Sequence, residues 1–94
     1  MLTHSTYFDG KVQSIGFERN GRKLTAGVIA PGEYHFGTGA PEKMEIVAGA
    51  CRVKLDGAES WQSYGAGAFF RVPGKSGFSI AVEGELAEYV CSYE

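Results

Sequence analysis

Fourteen glycines and three prolines punctuate this chain of 94 residues at short intervals. Glycine or proline interrupts every stretch longer than about ten residues, and each would cost roughly 1 to 3 kcal/mol inside a helix. Between the interruptions lie runs rich in Val, Ile, Phe and Tyr, the residues that suit a pleated surface. Strands are expected at Lys11–Phe17, Arg22–Ile29, Glu33–Gly37, Lys43–Ala48, Cys51–Leu55, Ser60–Tyr64, Ala68–Val72, Phe78–Val82 and Leu86–Tyr93. Alternation supports several of them: Val12, Ser14 and Gly16 oppose Lys11, Gln13, Ile15 and Phe17, and Cys51, Val53 and Leu55 oppose Arg52 and Lys54. Asn20-Gly21 is a type I′ hairpin signal, because both central residues need positive φ. Asp56-Gly57 suits a tight connection or a longer loop through Glu59. Many short, evenly spaced strands point to an all-β sandwich or barrel, in which closure removes exposed edges.

The length allows one domain, residues 1–94, with one core. Net charge is −2, and acidic and basic residues are interspersed along the chain, so nothing resembles the footprint of a nucleic-acid binder. The apolar runs are strand-sized and no membrane span is expected. The start, Met1-Leu2-Thr3-His4-Ser5-Thr6, lacks the basic and apolar segments of a secretory signal, so a cytoplasmic location is expected, with a frayed N-terminus carrying His4. Cys51 and Cys91 read as two buried reduced thiols. Trp61, Tyr64, Phe69, Phe70 and Tyr89 carry more aromatic area than one small interior needs, which favours a homodimer.

Two spacings carry a more specific signal. Gly67 stands six positions before Pro73, and a glycine-rich turn follows; Glu42 stands seven positions before Gly49. Together they resemble the two short motifs of the cupins, and the resemblance implies a single RmlC-like jelly-roll β-barrel with a pocket at its mouth. Metal-binding cupins place a histidine five residues after that proline, where this chain has Phe78. Two further histidines are expected upstream of Glu42, where the chain offers His35 and Gly37, or Phe36 and Thr38, depending on the count through the loop. One His and one Glu fall short of the three or four ligands of a mononuclear site, so no metal and no other cofactor is expected.

The whole chain resembles one small family, the pyrimidine/purine nucleoside phosphorylases with a cupin fold. The matching blocks are Tyr7-Phe8-Asp9-Gly10-Lys11-Val12, Ser14-Ile15-Gly16-Phe17, Pro31-Gly32-Glu33-Tyr34-His35-Phe36, Pro41-Glu42-Lys43-Met44, Val72-Pro73-Gly74-Lys75-Ser76-Gly77-Phe78 and Tyr89-Val90-Cys91-Ser92-Tyr93. The resemblance implies phosphorolysis: inorganic phosphate attacks C1′ of purine and pyrimidine nucleosides, releasing free base and ribose 1-phosphate. A non-catalytic cupin module that binds a small ligand is the alternative.

That chemistry asks for four things. An oxocarbenium-like sugar needs stabilising, phosphate needs preorganised donors, the leaving base needs a donor, and the ribose hydroxyls need acceptors. Glu42 is the candidate catalytic group, as an acceptor for ribose hydroxyls or as a proton donor to the base; the competing reading points it to solvent beside Pro41. The backbone N–H groups of Gly74, Lys75, Ser76 and Gly77, with the Ser76 hydroxyl and the Lys75 ammonium, form a candidate phosphate nest, although a plain turn explains them equally. Arg71 is a second phosphate candidate or an exposed strand residue. His35, Thr38, Phe36 and Phe78 are candidate nucleoside contacts. The two phenylalanines offer a face for a base to stack on, or else fill space that a metal would occupy.

Overall fold

The computed structural model describes residues 2–94. Among them lie ten strands and no helix: β1 Thr3–Tyr7, β2 Val12–Arg19, β3 Arg22–Ile29, β4 Gly32–Gly37, β5 Glu42–Ala48, β6 Ala50–Leu55, β7 Gln62–Gly65, β8 Phe69–Val72, β9 Gly77–Val82 and β10 Ala87–Tyr93. They form two antiparallel sheets, one of six strands in the order β1-β2-β3-β10-β5-β8 and one of four in the order β4-β9-β6-β7. The expected closed barrel is thus corrected to two separate sheets, with β1, β8, β4 and β7 at their edges.

Nine strands fall where glycine spacing and β-branched residues place them, within two residues at every end. The tenth, β1, corrects the expectation of a frayed N-terminus: Thr3 to Tyr7 pair with Gly16 to Val12 along their whole length. Its sequence, Thr-His-Ser-Thr-Tyr, has no aliphatic residue, so periodicity has nothing to register. Asn20 and Gly21 have φ of 53° and 75°, as a type I′ turn requires, and Arg19 faces Arg22 across it. Asp56-Gly57 opens the longer connection between β6 and β7.

The two sheets enclose one core. Val12, Ile29, Ile46, Val72, Ile80 and Val82 are its fully buried aliphatic side chains, each worth about 1.5 to 3 kcal/mol of burial. Of the five aromatic residues weighed between core and a subunit contact, Phe70 and Tyr89 are buried in this core. Cys51 and Cys91 are buried and unpaired.

A hydrogen-bonded clip fixes the two loops at one end of the sandwich. The Thr38 hydroxyl donates to the Pro73 carbonyl at 2.6 Å and accepts from the Ser76 N–H at 3.0 Å. The Thr38 N–H donates to the Ser76 carbonyl at 2.9 Å, and the Lys75 N–H to the Gly39 carbonyl at 3.0 Å. These bonds hold the chain before β5 against the turn before β9, so Glu42 enters its strand at a fixed angle.

Candidate functional site

The inner face of the six-stranded sheet is apolar at one end and polar at the other. Strand alternation sends Ser14, Thr25, Tyr89, Cys91 and Glu42 inward, and register sets them in rows. Ser5, Ser14, Gly27 and Tyr89 stand opposite one another across β1, β2, β3 and β10. Thr3, Gly16, Thr25, Cys91 and Met44 form the next row, and Tyr93 faces Glu42 beyond it.

Over these rows lies a cavity of about 180 Å³, walled by Tyr7, Ser14, Thr25, Glu42, Cys91 and Tyr93 on its polar side. Phe36 and Phe78 close it from β4 and β9, with ring centroids 5.8 Å apart. The cavity shares Tyr7, Ser14, Thr25 and Tyr93 with an outer cleft of about 650 Å³, which adds Thr3, Ser5, Glu18 and Lys23. The inner cavity alone falls below the roughly 300 Å³ at which small-molecule pockets begin, and the cavity with its cleft lies well within their range.

Tyr7 reaches this site from a strained turn. Phe8 and Asp9 have φ of 53° and 57°, a region that costs a residue with a side chain about 1 to 2 kcal/mol. The Phe8 ring packs on Tyr34 and Phe36 at centroid distances of 5.0 and 5.5 Å, which offsets that cost. Tyr7 then meets Phe36 edge-on at 5.8 Å. Opposite, Tyr89 lies flat over Gly27: a Cβ at that glycine would come within 2.5 Å of the phenol carbons and oxygen.

Electrostatically the cavity favours neutral groups. Burial pushes the Glu42 carboxyl above its usual range, partly countered by the Cys91 thiol, which donates to Oε1 at 3.6 Å. Burial, with the Glu42 charge adding to it, pushes Cys91 up to about 12. The thiol is therefore protonated at neutral pH and serves as a donor, being a poor nucleophile in that form. Burial raises Tyr89 to about 12, with the Ser14 hydroxyl opposing, and raises Tyr93 in the same direction. Three phenols, two aliphatic hydroxyls and a thiol thus surround one carboxyl group.

The sequence candidates divide between this cavity and the outside. Glu42, Phe36 and Phe78 line it. His35 points away from it on β4 and pairs with Asp56 at 2.9 Å, with half of its side chain exposed. Thr38 is spent in the loop clip. Two of the four N–H groups named as the phosphate nest, those of Lys75 and Ser76, are bonded within the chain, and Gly74 packs against Gly39 and Pro41. Arg71 lies on the outer face, bonded to Glu94 at 3.3 Å. Tyr7, Ser14, Thr25, Tyr89, Cys91 and Tyr93 were not singled out as site residues. Tyr89, Cys91 and Tyr93 fall at every second position of β10, whereas β2 and β3 add one hydroxyl each, Ser14 and Thr25, on the face that also carries Val12 and Ile29.

Among the described residues no three His, Cys, Asp or Glu side chains gather as a metal site would require. No helix long and apolar enough to cross a membrane is present among them. Fold and cavity define a cupin-like pocket protein, with a half-buried carboxyl ringed by neutral donors. Residues 2–93 match the family model described as pyrimidine/purine nucleoside phosphorylase. A pyrimidine/purine nucleoside phosphorylase of Sorangium cellulosum is 50% identical over 93 residues, covering 99% of both chains. One of Tolumonas auensis is 50% identical over 94 residues and the full length of both. A crystal structure of a Vibrio parahaemolyticus protein of unknown function superposes with a TM-score of 0.96 at 41% identity, covering 100% of this chain and 99% of that one. The chain belongs to the pyrimidine/purine nucleoside phosphorylase family.

Proposed function

We propose that this protein cleaves purine and pyrimidine nucleosides with inorganic phosphate, giving free base and ribose 1-phosphate, and does so without a metal. The observation that carries the reading is Glu42: a carboxyl held by the Cys91 thiol in a half-buried cavity of neutral donors, beside two phenylalanine rings. In the reaction a phosphate oxygen bonds to C1′ as the C1′–N bond breaks. The base leaves with that electron pair and takes up the proton that phosphate gives up. Positive charge builds on the sugar between these events.

A poorly solvated carboxylate is suited to that moment. Its negative charge is costly in the resting cavity and is compensated as the sugar becomes cationic, so it stabilises the transition state more than the ground state. Glu42 also accepts hydrogen bonds from the ribose hydroxyls, which the Cys91 contact orients it to do. The Phe36 and Phe78 rings give the base an apolar wall that discriminates little between purine and pyrimidine. Phosphate approaches from the outer cleft, where the hydroxyls of Ser5 and Thr25 and the Lys23 ammonium stand.

The same reading makes the protein a cytoplasmic homodimer. Ile15, Val28, Val47 and Phe69 are 38% to 56% exposed on the outer face of the six-stranded sheet, an apolar surface that a second copy would cover.

The test is base release from uridine and inosine with and without phosphate, with ribose 1-phosphate measured alongside. Phosphate-dependent release that survives EDTA is expected. Equal release without phosphate would make the protein a hydrolase. Absence of any release, with nucleoside still bound, would make it a binding module. Activity lost in EDTA and restored by one divalent metal would overturn the metal-free chemistry.

A further inference from the structure

The end of the six-stranded sheet between β3 and β5 carries a second charged feature, which shares only Lys23 and Leu24 with the outer cleft. Strand β10 stops at Tyr93, whereas β3 continues past it to Arg22, which leaves a notch between β3 and β5. A cleft of about 310 Å³ occupies this notch. Five of the chain's nine Lys and Arg residues line it: Arg19, Arg22, Lys23, Lys43 and Arg71. Glu94 is the one carboxylate among its walls, and Ser92 lies at its floor.

The pairing of these cations is the unusual part. Arg19 stands directly opposite Arg22 across the β2–β3 hairpin, and Lys43 directly opposite Arg71 across β5 and β8. Like charges directly opposite in an antiparallel pair destabilise it, and two such pairs face one another across the notch. The Lys43–Arg71 side is partly relieved: Lys43 lies 3.9 Å from Glu45, Arg71 lies 3.3 Å from Glu94, and both cations sit over the Phe69 ring. On the Arg19–Arg22 side the Phe17 ring beneath Arg19 is the one such relief among the described residues. Among the described residues neither arginine, nor Lys23, has a carboxylate within 4.0 Å. Arg19 has only the edge of a ring contact, 5.9 Å from the Phe17 centroid.

We propose that this notch is a binding site for a small ligand carrying two or more adjacent phosphate groups. Three of its five cations are arginines, whose planar forks match phosphate oxygens two at a time. The cations stand on two opposite walls, so a single phosphate bridges fewer of them than a chain of phosphates does. No ring lies free in the walls to stack on a base, so recognition rests on the phosphate chain. The site shares no residue with the inner cavity, since on β5 Glu42 points inward and Lys43 outward, and it meets the outer cleft only at Lys23 and Leu24. The inference does not depend on the reaction proposed for the cavity.

The test is calorimetric titration of the full chain with inorganic tripolyphosphate, pyrophosphate and monophosphate at 0.15 M ionic strength, where long-range attraction is screened beyond about 8 Å. Tripolyphosphate should bind most tightly and raise the melting temperature. The double variant Arg19→Gln/Arg22→Gln should bind it at least tenfold more weakly, and without ligand it should melt no lower than the wild type, because a repulsive pair has gone. Three results would overturn the proposal: no tripolyphosphate binding by the wild type, equal binding by the double variant, or monophosphate binding that is as tight as that of tripolyphosphate and is lost in the double variant. Tighter binding of a single-stranded oligonucleotide than of tripolyphosphate would overturn it in favour of a nucleic-acid surface.

Discussion

Replacing Thr38 by valine isolates what the loop clip contributes. The substitution keeps the branched shape and removes the hydroxyl, which donates to the Pro73 carbonyl at 2.6 Å and accepts from the Ser76 N–H at 3.0 Å. Both partners lose their bond at once in a part-buried location. A buried polar group left unpaired costs about 1 to 3 kcal/mol, and partial access of water argues for the lower end, so the two together should cost about 2 kcal/mol. For a domain of this size each kcal/mol lowers the melting temperature by about 4 to 8 °C, which gives a fall of about 8 to 16 °C. Thermal unfolding followed by circular dichroism measures it directly. Thr38→Ser, which keeps the hydroxyl, should recover most of the loss. Amide exchange at Ser76 should quicken in Thr38→Val and not in Thr38→Ser. A Thr38→Val protein that melts with the wild type would refute the reasoning, since the clip would then hold nothing.

Glu42→Gln should fold normally and lose at least tenfold in kcat/KM for uridine and inosine, about 1.4 kcal/mol or more of transition-state stabilisation; undiminished turnover in a folded variant would place Glu42 outside the chemistry. Because burial holds the Glu42 carboxyl above its ordinary 4.5, the folded state keeps that proton where the unfolded chain has lost it, and the group's contribution to stability falls as pH rises through the folded value. The melting temperature of Glu42→Gln relative to wild type should therefore rise between pH 4.5 and neutrality, and a flat difference would contradict the assigned shift. Gly27→Ala puts a Cβ within 2.5 Å of the Tyr89 phenol and should cost about 1 to 3 kcal/mol of stability together with turnover, whereas Gly16→Ala, with nothing nearer than 3.7 Å, should cost less of both.

The position and extent of nine strands were legible because glycine spacing and β-branched runs are local signals. Nine strands and the Asn20-Gly21 turn follow from them directly. Strand β1 was not legible, because Thr3 to Tyr7 carry polar residues on both faces and depend on pairing with β2. Sheet closure was not legible either: edges at β1, β8, β4 and β7 are a property of the whole topology. At the site, the family's motif spacing located Glu42, Phe36 and Phe78 on the cavity wall. It also led to Thr38 and to the turn at Gly74 to Gly77, where the chain itself uses the Thr38 hydroxyl and the Lys75 and Ser76 N–H groups. The hydroxyls of Ser14, Thr25 and Tyr89 were hidden because a polar residue in a half-buried strand reads as solvent-facing until the sheet's inner face is known. The basic notch was hidden for a related reason. Its five cations are scattered from Arg19 to Arg71, and only register brings them together.

The distribution of charge around the cavity leads to one more expectation. Inside, a carboxyl is ringed by hydroxyls and a thiol, with no cation among the walls. Such a place suits a sugar that becomes positive and repels an incoming phosphate dianion once Glu42 is ionised. Phosphate therefore needs a counter-charge just outside, and the outer cleft has one cation, Lys23, opposite Glu18 in the β2–β3 pairing. Lys23→Gln removes that charge and keeps most of the length of the side chain. If Lys23 meets phosphate, the apparent KM for phosphate should rise on the order of tenfold, the 1.5 to 3 kcal/mol scale of a hydrogen bond to a charged group. The KM for nucleoside should change much less, and the effect on phosphate should shrink as salt screens the exposed ammonium. Arg22→Gln, one residue away on the opposite face of β3, serves as the control and should leave the phosphate KM unchanged. Equal effects of the two variants would mean that Lys23 acts only through the general field of the hairpin. An effect of Lys23→Gln confined to nucleoside would send phosphate to another wall of the cavity.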